Sequence, residues 1–403
     1  MKYFLVIIIL LQCLTYNSHA KNWCKKTPIK QLITHDLDVS EHQSLLLANQ
    51  LSSQKDRLPK TLKRNGKLET CSSSWWVSGF FPGVLWYLYE NFQNDTLKQW
   101  AKEYTSRVED QQYTTDNHDV GFMIFCSFGN GYRITGDKDY LKVIETAASS
   151  LSTRFNPKIG CIRSWDYASW SKQWQYPVII DNMMNLELLM WSAKQFNNNN
   201  LSEIAISHAN TTLKNHFRDD YSSYHVVSYD TITGQPELKQ TSQGYNHESA
   251  WARGQAWGLY GFTMMYRMTK DNRYLEQARQ IAQFIINHPN LPEDKIPYWD
   301  FDAPSIPNAK RDASAGAIIC SALIELSGYV QGKEKKQYLK VAEQQIRTLS
   351  SPEYLAKPGT NGGFILKHSV GHMPNRSEVD VPLTYADYYF VEALMRYKKY
   401  CLE

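Results

Sequence analysis

The sequence predicts an all-α fold, an (α/α)6 barrel built as a six-helical-hairpin toroid, and three observations carry that expectation. First, a short motif recurs: Thr135-Gly-Asp-Lys-Asp-Tyr-Leu-Lys, Thr269-Lys-Asp-Asn-Arg-Tyr-Leu-Glu and Gly332-Lys-Glu-Lys-Lys-Gln-Tyr-Leu-Lys each lead a polar turn into a helix. Asn94-Asp-Thr-Leu-Lys-Gln-Trp-Ala and Asn200-Leu-Ser-Glu-Ile-Ala are looser versions. Second, about twelve helical segments follow from apolar periodicity, starting near residues 38, 76, 96, 119, 138, 181, 201, 251, 273, 313, 334 and 382. Third, their character alternates. Trp75–Tyr89, Gly121–Tyr132, Asp181–Trp191, Trp251–Met265 and Ala313–Leu326 are apolar almost all round, whereas Lys138–Leu151 and Asn272–Ile286 have a charged face. An all-apolar helix belongs inside and an amphipathic one outside. Six such pairs make an inner and an outer ring. An open helical array that binds a partner is the alternative on the same repeats.

The chain has 403 residues, 42% hydrophobic and 21% charged, enough for one large domain, with no linker-like stretch dividing it. Residues 1–20 read as a cleaved signal: Met1-Lys2, an apolar run from Phe4 to Leu14, then Ser18-His19-Ala20. That run is too short to span a membrane. Residues 21–403 are then a single catalytic domain in an exported protein, periplasmic by preference and otherwise secreted, with no membrane association after cleavage. Six cysteines remain (Cys24, Cys71, Cys126, Cys161, Cys320, Cys401), and an oxidising compartment permits disulfides among them. Cys126 and Cys320 lie in apolar helical patterns and are expected as buried thiols.

A net charge of +4 with no dense basic stretch argues against nucleic acid. No phosphate-binding loop, dinucleotide glycine fingerprint, Cys-x2-Cys pair or His-Glu-x2-His occurs, so neither a cofactor nor a metal is expected. Aromatic content is high, 13% with 12 Trp and 26 Tyr. Aromatic faces stack on sugar rings, although they also fill helical cores.

Taking the inner helices in order, Asn117-His118-Asp119-Val-Gly-Phe122 opens one of them, with Asp119 at its start. Asp181, 62 residues later, starts another after Tyr176-Pro-Val-Ile-Ile. Inner helices of a toroid point their starts at one face, so the two acids can share a pocket. Paired carboxylates run acid/base chemistry on sugars. The plainer reading is that each Asp is an N-cap, stabilising its helix by about 1 kcal/mol. The readings predict opposite pKa shifts: a cap and the helix dipole lower the value, while burial and a like-charged neighbour raise it. Asp119 is expected to help Asp181 resist the lowering.

The stretch before the next inner helix holds His225 and Gln243, and the helix begins Trp251-Ala-Arg253-Gly-Gln-Ala-Trp257. Arg253 and Trp257 are four apart and expected on one face, an arrangement suited to a sugar carboxylate. Trp165, on the stretch before Asp181, either roofs the pocket or covers core. Lys367, His368 and Arg376 are candidates for sulfate or carboxylate groups, with solvated surface charge as the plainer reading. The longer stretches, about 155–180, 221–249, 287–311 and 350–380, are expected as loops walling a cleft.

Four separated motifs, His118-Asp-Val-Gly-Phe122, Ile180-Asp-Asn-Met-Met-Asn-Leu186, Trp251-Ala-Arg-Gly-Gln-Ala-Trp-Gly-Leu-Tyr-Gly261 and Glu378-Val-Asp-Val-Pro-Leu-x-Tyr-x-Asp-Tyr-Tyr389, together resemble glycoside hydrolase family 88, the unsaturated glucuronyl hydrolases. The match runs in order from about Trp75 to the C-terminus. The resemblance implies the (α/α)6 barrel. It also implies action on oligosaccharides left by polysaccharide lyases, whose non-reducing end is a 4,5-unsaturated uronate, by hydration of the C4=C5 double bond. Asp181 matches the family's acid/base and Asp119 its second acid. His118, Trp165, His225, Gln243, Arg253 and Trp257 fall on positions like the family's substrate contacts, and Trp76 is a looser match. Lys367, His368 and Ser369 fall where members meet the next sugar and its sulfate. Rival expectations are an unsaturated rhamnogalacturonyl hydrolase or an inverting glycosidase on the same toroid, and a glycan-binding helical protein in which both acids are caps. The parent polysaccharide (ulvan, heparin-like, chondroitin, hyaluronan, gellan- or xanthan-like) is left open, with the late basic residues tilting it toward a sulfated one.

Overall fold

A computed structural model describes Cys24 and residues 26–403; the expected signal segment lies outside the described residues. Among these are twelve α-helices. The outer ones are α1 (Ile29–Gln50), α3 (Asp95–Ser106), α5 (Lys138–Ser152), α7 (Asn199–Asn215), α9 (Asn272–Asn287) and α11 (Gly332–Leu349). The inner ones are α2 (Phe80–Phe92), α4 (Asn130–Thr135) with the π-helical turn Gly121–Gly129 that leads into it, α6 (Asn182–Phe196), α8 (Ala252–Thr269), α10 (Ala313–Ser327) and α12 (Thr384–Tyr397). Each inner element packs on the next, and α12 packs on α2 to close the ring. Burial follows the expected division: every residue of α10 is buried, whereas α9 buries only a stripe, Tyr274, Gln277, Ala278, Ile281, Ala282 and Ile285.

The recurring motif has a physical basis. Gly136 (φ 69°) and Lys270 (φ 60°) end an inner helix in the left-handed region, and one residue later Asp137 and Asp271 cap the outer helix through Asp139 N–H and Arg273 N–H. Thr135 and Thr269 hydroxyls accept the N–H of those same aspartates.

Some boundaries differ from expectation. α1 begins nine residues early, because Pro28 presets the entry and Leu32, Ile33 and Leu37 already form a buried stripe. Trp75–Gly79 forms turns, so α2 starts later than expected. The helix expected at 119 is π-helical for nine residues. A Cβ on Gly121 would sit 2.7 Å from Asn185 Cα, so the π turn lies directly against α6, and Asn185 Oδ1 accepts Phe122 N–H at 2.9 Å. Gly121→Ala is expected to destabilise the protein by roughly 1–3 kcal/mol through overpacking against backbone, measured by urea unfolding.

Three of the four stretches expected as loops carry strands, and 287–311 has only isolated bridges. Pro177–Ile179, Val226–Tyr229 and Pro236–Gln240 (β5, β6, β7) form an antiparallel sheet. Ser369–His372 and Ser377–Val381 (β8, β9) form a hairpin. Short β-branched runs such as Val-Val-Ser-Tyr satisfy their backbone by pairing once buried. Smaller hairpins are Leu58–Leu62 with Leu68–Cys71 (β1, β2) and Phe155–Asn156 with Cys161–Ile162 (β3, β4). All six described cysteines are free thiols; Cys320 is buried, and Cys126 is half-buried rather than buried.

Candidate active site

The starts of the inner elements gather at one end of the barrel. They bring together Trp76 before α2, Asp119 before the π turn, Asp181 before α6, Arg253 in the first turn of α8, Asp312 capping α10, and Tyr385 in α12. The β5–β7 sheet adds His225 and Gln243, and β8 passes over Arg253.

The capping reading fails for Asp181. Its backbone is already helical (φ −56°, ψ −29°) and its side chain makes no cap hydrogen bond. Its carboxyl is 10% exposed, and Oδ2 is buried without a hydrogen-bond partner. Burial pushes its pKa up to about 7, against the opposing pull of the Arg253 guanidinium. Trp257 presents its indole N–H to this carboxyl without closing a hydrogen bond. At Asp119 the turn-forming side chain is that of Asn117, which accepts Asp119 N–H at 2.9 Å. Burial, and then the charge of Asp181, push the Asp119 pKa up to about 8. Burial is the largest cause at both acids; the like charge acts on Asp119, while at Asp181 desolvation does the work expected of Asp119.

Each acid faces a neutral imidazole. His118 Nε2 lies 3.3 Å from Asp119 Oδ1, and His225 Nε2 lies 3.8 Å from Asp181 Oδ2. Burial holds both histidines well below the usual histidine pKa. His225 Nδ1 accepts the N–H groups of Ser242 (3.0 Å) and Gln243 (3.2 Å), so its proton sits on Nε2, toward Asp181. Its ring packs 4.4 Å from Trp251.

Arg253 does not use Trp257 as its platform, contrary to the spacing argument. Its guanidinium lies over Trp251 (4.6 Å) and Tyr385 (5.3 Å), while Trp257 packs in the core against Phe122 and Tyr389. A side chain in a first helical turn points back toward the N-terminus, which carries Arg253 away from Trp257. Arg253 is buried and donates to Asp312 Oδ2, Gln243 Oε1 and the carbonyls of Val370 and Gly371, leaving only Nε unpartnered. Asp312, which also caps α10 through Ser314, was not recognisable in the sequence as part of this group.

Trp165 pairs through its backbone with Asn117, beside the acids, and packs against Trp170 (5.0 Å) and Trp174 (5.7 Å). Trp76 is half-buried, 4.8 Å from Tyr385. The late residues are engaged within their own segment. Lys367 Nζ donates to Pro352 O, His368 pairs with Asp380 at 2.6 Å, and Ser369 is buried with its hydroxyl unpartnered. A cavity of about 740 Å³ lies at the opposite end of the barrel, and its deep arginines are paired: Arg267 with Glu187 and Glu325, Arg396 with Glu325 and Glu392.

Two close carboxyls with pKa values near 7 and 8 titrate as a pair and hold one proton between those values. If catalysis uses that singly protonated pair, kcat/KM is expected to be bell-shaped in pH, with limbs near about 7 and about 8. Initial rates across ~pH 5–10 check this, and a flat profile contradicts it.

A sequence profile of Glycosyl Hydrolase Family 88 matches residues 48–401. The chain is 50% identical over 322 residues to an unsaturated glucuronyl hydrolase of Formosa agariphila, covering 80% of this chain and 79% of the relative. It resembles the crystal structure of an unsaturated glucuronyl hydrolase specific for heparin, with a TM-score of 0.85, 50% identity and coverage of 90% and 97% of the two chains. A mutant unsaturated glucuronyl hydrolase from Streptococcus agalactiae complexed with dGlcA-GalNAc6S matches with a TM-score of 0.77 at 28% identity, covering 91% of each chain.

Proposed function

Because the chain belongs to glycosyl hydrolase family 88 and is a glycoside hydrolase, we propose that it removes the 4,5-unsaturated uronate from the non-reducing end of glycosaminoglycan-type oligosaccharides, by hydrating the C4=C5 bond. The observation that carries this reading is the pair of buried carboxyls with raised pKa, each facing a neutral imidazole. Asp181 gives its proton to C4. Positive charge then spreads over C5 and the ring oxygen, beside the Asp181 carboxylate in a dry pocket. Asp181 next takes a proton from water as the water oxygen bonds to C5. The hemiketal so formed opens and releases the sugar.

In the productive form Asp181 carries the shared proton, and Asp119 is the ionised partner that holds ring hydroxyls. Trp76, Trp165 and Gln243 border the uronate, and the buried His118, His225 and Trp257 act on it through the acids they face. Arg253 has little donor capacity left; it acts through its charge and by fixing β8. No residue of this scheme calls for a cofactor.

The substrate class rests on the two glycosaminoglycan-related structures above, and heparin-type disaccharides are the first choice because the relative specific for heparin is 50% identical. Sulfated glycosaminoglycan-type substrates lie within this proposal, and an ulvan-type substrate is its rival. Export fits the apolar N-terminus and its Ser18-His19-Ala20 site; no described helix is long and apolar enough to cross a membrane. The test follows loss of ultraviolet absorbance with disaccharides produced by heparin, chondroitin, hyaluronan and ulvan lyases. Fastest loss on a heparin-type disaccharide is expected. Loss on none of the panel rejects the activity, and fastest loss on ulvan products rejects the glycosaminoglycan assignment.

A further inference from the structure

Two imidazoles face the two acids, and only that of His225 has its tautomer set by backbone donors. His118 Nδ1 lies instead 3.3 Å from Ser164 Oγ. Ser164 is fully buried, and its Oγ already accepts Ile179 N–H at 2.9 Å. Its own hydroxyl proton then needs an acceptor, and His118 Nδ1 is in reach. Ser164 cannot swing away: its carbonyl accepts His118 N–H at 3.1 Å, and its N–H donates to Pro177 O at 2.9 Å. Two residues earlier, Ile162 is clamped by Asn182, which donates to its carbonyl, and by His208 Nδ1, which accepts its N–H.

We propose that Ser164 is a positioning residue that holds His118 in the Nε2–H tautomer, so that a proton rather than a lone pair lies 3.3 Å from Asp119 Oδ1, with no hydrogen bond closed between them. Asn182 Oδ1, buried without a partner and close to the same imidazole, is a second acceptor for that proton.

The consequence concerns where the shared proton resides, and it rests on the reading that Asp181 is the acid. Burial alone favours Asp119, whose pKa is pushed higher than that of Asp181. An N–H this close to Asp119, in place of a lone pair, favours its anion and moves the proton toward Asp181. The other groups facing the pair are Arg154 at Asp119, and Arg253, His225, Trp257 and Tyr385 at Asp181; Arg154 and His208 face His118. Without the Ser164 hydroxyl, His118 is free to take the Nδ1–H form. It then turns a lone pair to Asp119, which keeps the proton.

The test is nitrogen-15 NMR of the whole protein with labelled histidine, with His118 assigned by its loss in His118→Gln. An Nε2–H pattern is expected, and an Nδ1–H pattern overturns the proposal whatever the activity proves to be. Ser164→Ala and Ser164→Thr give the functional arm. The alanine variant is expected to shift His118 toward Nδ1–H and to lower kcat by roughly 10- to 100-fold with KM little changed. Its acidic pH limb is expected to move upward. Threonine, which keeps the hydroxyl, is expected to restore tautomer, rate and limb. A folded alanine variant with an unchanged tautomer, or a threonine variant as impaired as alanine, overturns the proposal. Should alanine not fold, the parental spectrum and the threonine variant decide.

Discussion

Asp181→Asn is expected to lower kcat by roughly 10²- to 10⁴-fold, the range supplied by a positioned general acid and base. The amide has the shape of the carboxyl but no proton to give to C4 and no basic oxygen to receive one from water. Substrate affinity should survive, because Trp76, Trp165 and Gln243, the partly exposed candidates, stand on other elements. Stability moves the opposite way. The folded pKa of Asp181 is raised to about 7, so its ionisation opposes folding as pH rises through that value. The stability its neutral form contributes is fully present below the unfolded carboxyl pKa and is lost above about 7. The amide does not ionise, so the variant is expected to unfold at higher urea than the parent at pH 8, and equally at pH 4 ~. Paired kinetics and urea melts at both values check this. A variant that is both inactive and less stable at the higher pH contradicts a purely catalytic loss.

Arg253→Met is expected to destabilise the protein by roughly 3–5 kcal/mol, the usual result of breaking a buried ion pair from one side. Asp312, itself fully buried, loses its partner at 3.3 Å. The carbonyls of Val370 and Gly371 lose donors, and β8 loses its attachment to α8. The field that opposes Asp181 protonation also disappears, so the Asp181 pKa should rise further and the alkaline limb move up. Arg253→Lys cannot replace the fork of donors to Asp312, Gln243 and two carbonyls, and should recover only part of the loss. Urea unfolding and the pH profile of the two variants measure these effects; a stable Arg253→Met protein with a loose substrate KM alone contradicts the anchoring role.

The twelve-helix toroid was legible because its signals are local. Left-handed ends at Gly136 and Lys270, aspartate caps at Asp137 and Asp271, and the contrast between α10 and α9 are all written within a few residues of where they act. Asp119 and Asp181 were legible as helix starts on one face for the same reason. What the site needs beyond them is non-local. Asp312 reaches Arg253 across 59 residues of chain, and β8 reaches it across more than a hundred. The face shared by Arg253 and Trp257 was the wrong inference, because side-chain direction in a first turn outweighs four-residue spacing. The π turn at Gly121 was hidden too, since its cause is the close approach of Asn185 on another helix.

Turnover of an unsaturated disaccharide in deuterium oxide, with the released uronate read by NMR, tests the central claim most directly. Proton delivery to C4 by Asp181 predicts one deuterium at C4, on a single face, incorporated as the vinyl signal disappears and absent from reactions with Asp181→Asn. An unsaturated monosaccharide appearing first, with no deuterium at C4, would contradict the account.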